Sequence, residues 1–197
     1  MPQSLRQIKN RIHAIEQTQK VTNAMQMVSV AKLNRVHKTL LALRPYFSRL
    51  EEALGHLVYS RDSIAHAYFM QRPERQRLLL CVVTSDTGLC GLYNYNVLRQ
   101  AEDFIRRHGK DKISLILIGK RAVNHFKSRG VCVLHTYSGF HGAYNMLMSD
   151  EIAGVLSHLF LTQKFDAACI AYSSFRSAVI QEALVEEFLP VSLPRPA

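Results

Sequence analysis

The chain has 197 residues, 48% hydrophobic and 20% charged, enough apolar content for one substantial core and too little charge for a globally disordered chain. No apolar run approaches the roughly 20 residues of a membrane-spanning helix. The start MPQSLRQIKN has no secretory h-region, and nine Gly, six Pro and four Cys exclude collagen-like and disulfide-scaffold chains.

The net charge of +10 gathers at one end. Residues 1–50 hold nine Lys and Arg against Glu16 alone, and the rest is nearly balanced, sixteen basic against fourteen acidic. A basic arm of this kind predicts an acidic partner: nucleic acid, an anionic membrane or an acidic protein surface. In the same segment, Ser4-Leu5-Arg6-Gln7 fits a capping box, with Ser4 reaching the Gln7 amide and Gln7 reaching back. From Ser4 to about Val58 there is one Pro and one Gly. A 3.5-residue seam from Leu5 runs through Ile8, Ile12, Ile15, Gln19, Thr22, Gln26, Ser29, Leu33, Val36, Leu40, Leu43, Phe47, Leu50, Leu54 and Leu57, twelve of sixteen positions being apolar. That pattern predicts a long coiled-coil helix. The four polar positions are consecutive, and the apolar residues move there to Val21, Ala24, Met25, Val28 and Ala31, a local phase shift. A helix of about 55 residues would be ~80 Å long. Pro45 predicts a kink and Gly55 a weaker break.

Residues 60–76 read as a linker ending in Pro73 and charge. Arg77 to Ser85 is then a near-continuous apolar run, the signature of a buried parallel strand. A Gly-rich turn follows, and Val97, Leu98, Ala101, Phe104 and Ile105 repeat at helical spacing. Ile113 to Ile118 predicts a second strand, Ala122 to Phe126 a short helix stopping near Gly130, and Val131 to His135 a third strand. Ser149-Asp150-Glu151 reads as a helix start with acids in its first turn, followed by the face Ile152, Val155, Leu156, Leu159 and Phe160. Ala167 to Tyr172 and Val179 to Val185 complete the strands, and the Pro-rich tail VSLPRPA reads as loose. The predicted fold is α/β: a long N-terminal coiled-coil helix (residues 1–59), a linker (60–76), a mostly parallel, Rossmann-like sheet with helices on both faces (77–190) and a tail (191–197).

Chemistry is thinly represented. Cys81, Cys90, Cys132 and Cys169 form no CxxC pair, and three lie in apolar runs, which predicts reduced, buried thiols and no zinc site. The turn Ser85-Asp86-Thr87-Gly88-Leu89-Cys90-Gly91 sits where a doubly wound fold places a ligand, yet it has only Gly88-x-x-Gly91 and lacks the Lys and Ser/Thr of a P-loop. Cys90 lies near a helix start, where thiol pKa values fall, but only Asp86 is close in sequence. His135 and His141 lack ligand spacing. Asp150-Glu151 and Glu186-Glu187 read as a helix start and a solvated strand end. The basic arm has few aromatics for base stacking. No cofactor, metal or catalytic residue is expected.

Three ordered blocks carry a resemblance. Ser4 to Ile12 and Thr18 to Leu33, then Thr84-Ser-Asp-Thr-Gly-Leu-Cys-Gly91 with Asn94, then Tyr172-Ser-Ser-Phe-Arg-Ser-Ala178 leading to Phe188-Leu-Pro190, resemble the gamma subunit of F-type ATP synthases. The resemblance implies a non-catalytic central shaft, an antiparallel coiled coil of N- and C-terminal helices with an α/β domain. It implies rotation inside a ring of alpha and beta subunits, contact with the epsilon subunit and the c-ring, coupling of proton flow to ATP synthesis, and a peripheral place on the cytoplasmic face of the bacterial plasma membrane, with no nucleic acid bound. It also implies that Lys20, Met25, Lys32 and Arg35 lie near acidic elements of the beta subunits, and that Asp86, Gly88, Cys90 and Gly91 form a structural or subunit-contact turn. Thr87 stands where the family usually has Arg, and Leu92 where it has a second Gly. The family continues past the Leu-Pro block with the returning shaft helix, whereas this sequence stops at Ala197. A truncated paralogue acting in assembly or regulation is the alternative reading. A nucleotide- or nucleic-acid-binding α/β protein is a third, disfavoured by the missing phosphate loop and acid/base pair.

Overall fold

The computed structural model describes residues 4–58, 66–72, 74–140, 146–177 and 180–191 and divides into two compact units, Met1–Leu57 and Val58–Ala197. The first is essentially one helix, α1, spanning Leu5–Val58. Its start is the predicted capping box: the Ser4 amide donates to Gln7 Oε1 at 3.0 Å and the Gln7 amide to Ser4 Oγ at 3.4 Å, so two of the unpaired first-turn donors find acceptors. Neither Pro45 nor Gly55 ends the helix, although Pro45 supplies no amide for the Leu41 carbonyl. In the polar stretch of the seam, the Thr22 and Ser29 hydroxyls donate to carbonyls four residues back at 2.8 Å, as Thr18 beside it does at 2.9 Å, so these side chains are satisfied by their own helix. The apolar seam is open, from Leu5 and Ile12 through Leu33, Val36 and Phe47 to Leu54.

The second unit is an α/β layer structure. In chain order it has β1 (Leu78–Val83), α2 (Tyr93–His108), β2 (Ile113–Ile118), α3 (Lys120–Phe126), β3 (Cys132–Tyr137), α4 (Met146–Leu161), β4 (Ala167–Phe175) and β5 (Gln181–Leu189). The sheet order is β3-β2-β1-β4-β5. The first four strands are parallel and β5 runs antiparallel to β4. Because β1 is central, both of its faces are covered: Leu78, Leu80 and Val82 pack with Val97, Ala101, Phe104 and Ile105 of α2 and with Ala122 and Phe126 of α3. Leu79 and Cys81 pack with Leu156, Leu159 and Phe160 of α4 on the opposite side. This two-sided burial explains why β1 reads as an unbroken apolar run. Each large side chain removed from water there stabilises the unit by about 1.5–3 kcal/mol.

Several sequence expectations need correction. Helix α4 begins at Met146, so Asp150 and Glu151 fall beyond its first turn. The fifth strand extends to Leu189, past the expected Val185, because its antiparallel ladder with β4 continues through Glu186, Glu187 and Leu189 to Ala168. The thiols are free, but only Cys81 and Cys169 are buried. Cys132 is exposed because β3 is an edge strand, and Cys90 because it sits in a turn. Burial pushes the Cys81 thiol up to about 12, and burial, followed by the nearby Glu187 charge, pushes Cys169 to about 11. Among sequence features singled out above, His141, Val179, Pro73, most of the linker start and residues 192–197 lie outside the described residues.

Candidate functional site: the turn after the first strand and the basic helix

Strand β1 sits at the centre of the sheet, so the turn leaving its carboxyl end meets the turns leaving its neighbours. Thr84 begins the exchange. Its amide and hydroxyl both donate to the Ile118 carbonyl, at 2.8 and 3.0 Å, while Oγ1 accepts the Ala122 amide at 2.9 Å. The Ser85 carbonyl accepts the Arg121 amide at 3.2 Å. Asp86 Oδ1 accepts the Lys120 amide at 3.1 Å, and Oδ2 accepts the Gly139 amide at the same distance. Residues 84–86 therefore cap α3, which has no side-chain cap of its own, and a carboxylate at a helix start is also favoured by the helix dipole. Gly119, with φ +92°, makes this approach feasible: a Cβ there would lie 2.2 Å from the Thr84 carbonyl oxygen.

The second half of the turn is held by Asn94 of α2. Its Oδ1 accepts the Ser85 amide at 3.0 Å, and its Nδ2 donates to Ser85 Oγ and to Cys90 Sγ, both at 2.9 Å. The Ser85 hydroxyl donates onward to the Thr87 carbonyl at 2.6 Å. Asn94 is the polar side chain that closes the loop from within, and it is buried. The chain reverses through Leu89 (φ +59°) and Gly91 (φ +57°). Gly91 occupies this region freely, whereas Leu89 bears a Cβ cost of about 1–2 kcal/mol and is 95% exposed. Gly88 lies beneath the Arg121 guanidinium: a Cβ on it would meet Nη2 at 2.1 Å, the end of a side chain that can move aside.

Beyond the turn, a groove of about 830 Å³ runs between α2 and α3, lined by Gly88–Gly91, Arg99, Arg106, Arg121, His125 and Arg129 among others. Its acids are engaged: Glu102 contacts His125 Nε2 at 2.8 Å and Arg129 Nε at 3.0 Å, and Asp103 pairs with Arg106. The remaining positive charge, from Arg99 and Arg121, presents a cationic wall beside the turn. No group of three His, Cys, Asp or Glu suited to a metal ion occurs among the described residues.

The structure thus brings Asp86, Gly88, Cys90 and Gly91 into one turn. Lys20, Met25, Lys32 and Arg35 are distributed along α1, within an arc of about 140° on an ideal helical wheel. Sequence reading missed Asn94 as the turn's internal brace, Arg121 as the side chain over Gly88, and Leu89 and Leu92 as its exposed apolar tip. Asn94 stood in the sequence directly after the motif, but its bonds reach back to Ser85 and Cys90 from inside α2, which no local turn pattern announces. Arg121 was not readable either, because it arrives from another helix.

The chain thus joins a long basic helix to an α/β unit whose central turn is held by internal hydrogen bonds. The ATP synthase family profile matches residues 4–196. The ATP synthase gamma chain of Amoebophilus asiaticus is 34% identical over 195 residues, covering 97% of this chain and 67% of the relative, and that of Geobacter sp. strain M21 is 36% identical, covering 96% and 66%. The chain spans about two thirds of the length of these relatives. In fold, it is similar to a chain in the central stalk and c-ring of the Tetrahymena thermophila mitochondrial ATP synthase (TM-score 0.57, 21% identity, 86% of this chain and 72% of that chain). It is also similar to one in the rotor of the Euglena gracilis enzyme (TM-score 0.60, 18% identity, 93% and 62%). The chain belongs to the ATP synthase gamma chain family, whose members are non-catalytic central-stalk subunits. No helix among the described residues is long and apolar enough to cross a membrane.

Proposed function

We propose that this chain acts as a rotating central stalk, coupling proton flow through a c-ring to ATP synthesis in a head of alpha and beta subunits. The observation that carries the reading is α1: 54 residues in one helix, with an open apolar seam and an excess of basic residues. An uncovered stripe of that length calls for a partner helix, which makes α1 one strand of a coiled-coil shaft. The α/β unit, with its Rossmann-like strand order, is the globular body. Residues 1–59, 60–76, 77–190 and 191–197 then serve as shaft, connector, body and tail. The epsilon subunit and c-ring are the partners of the body, at the cytoplasmic face of the bacterial plasma membrane.

In this reading Lys20, Lys32 and Arg35 meet acidic surfaces of the beta subunits, with Met25 supplying apolar contact on the same side of the helix. Asp86 and Gly88 build the turn, and Cys90, Gly91 and the exposed Leu89 present it to a neighbouring subunit. Exposed charges steer association more than they stabilise folds. The test is the triple reversal Lys20→Glu, Lys32→Glu, Arg35→Glu, assayed for association with alpha and beta subunits at low and high salt. Association is expected to weaken at least tenfold at low salt with an unchanged circular dichroism spectrum. Equal binding by wild type and variant at low salt refutes the electrostatic contact.

A further inference from the structure

The covalent path from α1 into the α/β unit ends at β1, the central strand, hydrogen-bonded to β2 on one side and β4 on the other. Just before β1, the chain is fastened at successive points. The Tyr68 carbonyl accepts the Val191 amide at 2.7 Å. The Arg72 guanidinium donates to the Phe160 carbonyl at 2.9 Å and to the Phe165 carbonyl, and it lies 4.5 Å from the centre of the Phe160 ring. Arg75 pairs with Glu187 of β5. The Gln76 and Arg77 amides donate to Asp166 Oδ2 at 3.0 and 2.9 Å, and the Asp166 amide donates back to the Arg77 carbonyl at 2.7 Å. The Asp166 side chain is 8% exposed and that of Arg72 21%.

These contacts share one geometry. All tie the stretch between Tyr68 and Arg77 to the junction of α4 with β4, to β5, or to Val191 just past the end of β5. The Arg72 charge sits at the carboxyl end of α4, where a cation is favoured, and its two carbonyl acceptors use the planar fork that Lys lacks. Asp166 accepts two backbone amides with an ionised carboxylate, the stronger kind of hydrogen bond. A bare connector needs none of this. From this arrangement we infer that Arg72 and Asp166 form a load-bearing clasp: tension entering from α1 is taken by the α4–β4 junction before it reaches β1. Without the clasp, the same tension peels β1, and with it the middle of the sheet.

The inference rests on α1 being a mechanically loaded shaft, but the clasp itself is measured on the free chain. Failure here therefore leaves the rotor reading intact, and failure of subunit association leaves the clasp intact. The experiment is single-molecule pulling of the full chain with the exposed Cys90 and Cys132 replaced by Ser. One handle pair is placed at Glu52→Cys and Lys127→Cys, so that force enters through the connector. A second pair, Lys127→Cys and Gln181→Cys, bypasses it. In the Arg72→Ala, Asp166→Ala double variant, the first pair is expected to show an early step of at most about 40 Å, the contour of the twelve residues from 66 to 77 at ~3.4 Å each less the distance they already span, before β1 peels. The release force should be less than half that at which wild type yields, and the second pair should be unaffected. Arg72→Lys, which keeps the charge and disturbs the fold least, should show the same early step at intermediate force. A merely structural role lowers the force equally in both pulling directions. That result, or no early step in either variant, overturns the clasp.

Discussion

Asp86→Ala separates a turn built for the fold from a turn built for contact. The wild-type carboxylate accepts the amides of Lys120 and Gly139, each at 3.1 Å, and these come from two different inter-element turns. Hydrogen bonds to a charged group contribute about 1.5–3 kcal/mol each; because Asp86 is only half-buried, water recovers part of this, leaving a net loss of about 2–3 kcal/mol. In an α/β unit of this size such a loss lowers Tm by roughly 6–15 °C. The paired substitution is Leu89→Gly, at the 95% exposed tip of the same turn. It removes no packing and relieves the left-handed backbone, so it should raise stability by about 1 kcal/mol. Association with alpha and beta subunits should weaken as the apolar tip is lost. Thermal unfolding by circular dichroism, run beside a binding assay, reads both effects. An unchanged Tm in Asp86→Ala, or a lower one in Leu89→Gly, refutes the division of the motif into an inner brace and an outer tip.

Gly119→Ala places a methyl 2.2 Å from the Thr84 carbonyl oxygen at φ +92°. It should cost more than about 3 kcal/mol by forcing backbone apart, seen as a large drop in the urea midpoint, whereas Gly109→Ala, with open space around its Cβ, should cost about 1–3 kcal/mol from its φ 91°, ψ 136° backbone alone, a conformation open essentially to glycine. For Asp166, burial pushes the carboxyl up, but the Arg77 and Gln76 amides and the Arg77 guanidinium outweigh it and hold the pKa below the ordinary value. A depressed native pKa contributes stability that is present above the unfolded pKa of about 3.9 and lost as pH falls through the native value. Urea unfolding from pH 6 to pH 2 should therefore show an acid-side loss that Asp166→Asn reduces. In hydrogen exchange on the free monomer, α1 amides across residues 5–54, where the apolar seam is exposed, should exchange fast; a peptide carrying the family's C-terminal helix should restore protection. Slow exchange from Leu5 onward, with no effect of the peptide, rules out a coiled-coil use of the seam.

The sequence by itself determined the elements whose cause is local. The capping box at Ser4 and Gln7 and the heptad seam specify α1, because a helix start and a helix face are set by neighbours three and four residues away. The apolar runs at Leu78–Val83 and Ile113–Ile118 specify buried strands, because a strand covered on both faces has no polar side. The ordered blocks around Thr18–Leu33 and Thr84–Gly91 were enough to point to the family. Only the tertiary structure decided what the turn residues do. Asp86 read as a lone acid near a thiol, and it is a brace for α3 and for the turn at Gly139, contacts made across 34 and 53 residues. Gly88 read as part of a degenerate phosphate loop, and it is the gap that admits Arg121. Asp166 and Arg72 carried no signal at all, since 94 residues separate the partners. A periodic pattern records which face of an element is buried, whereas a hydrogen bond between distant loops depends on strand order, and strand order exists only once the sheet has assembled.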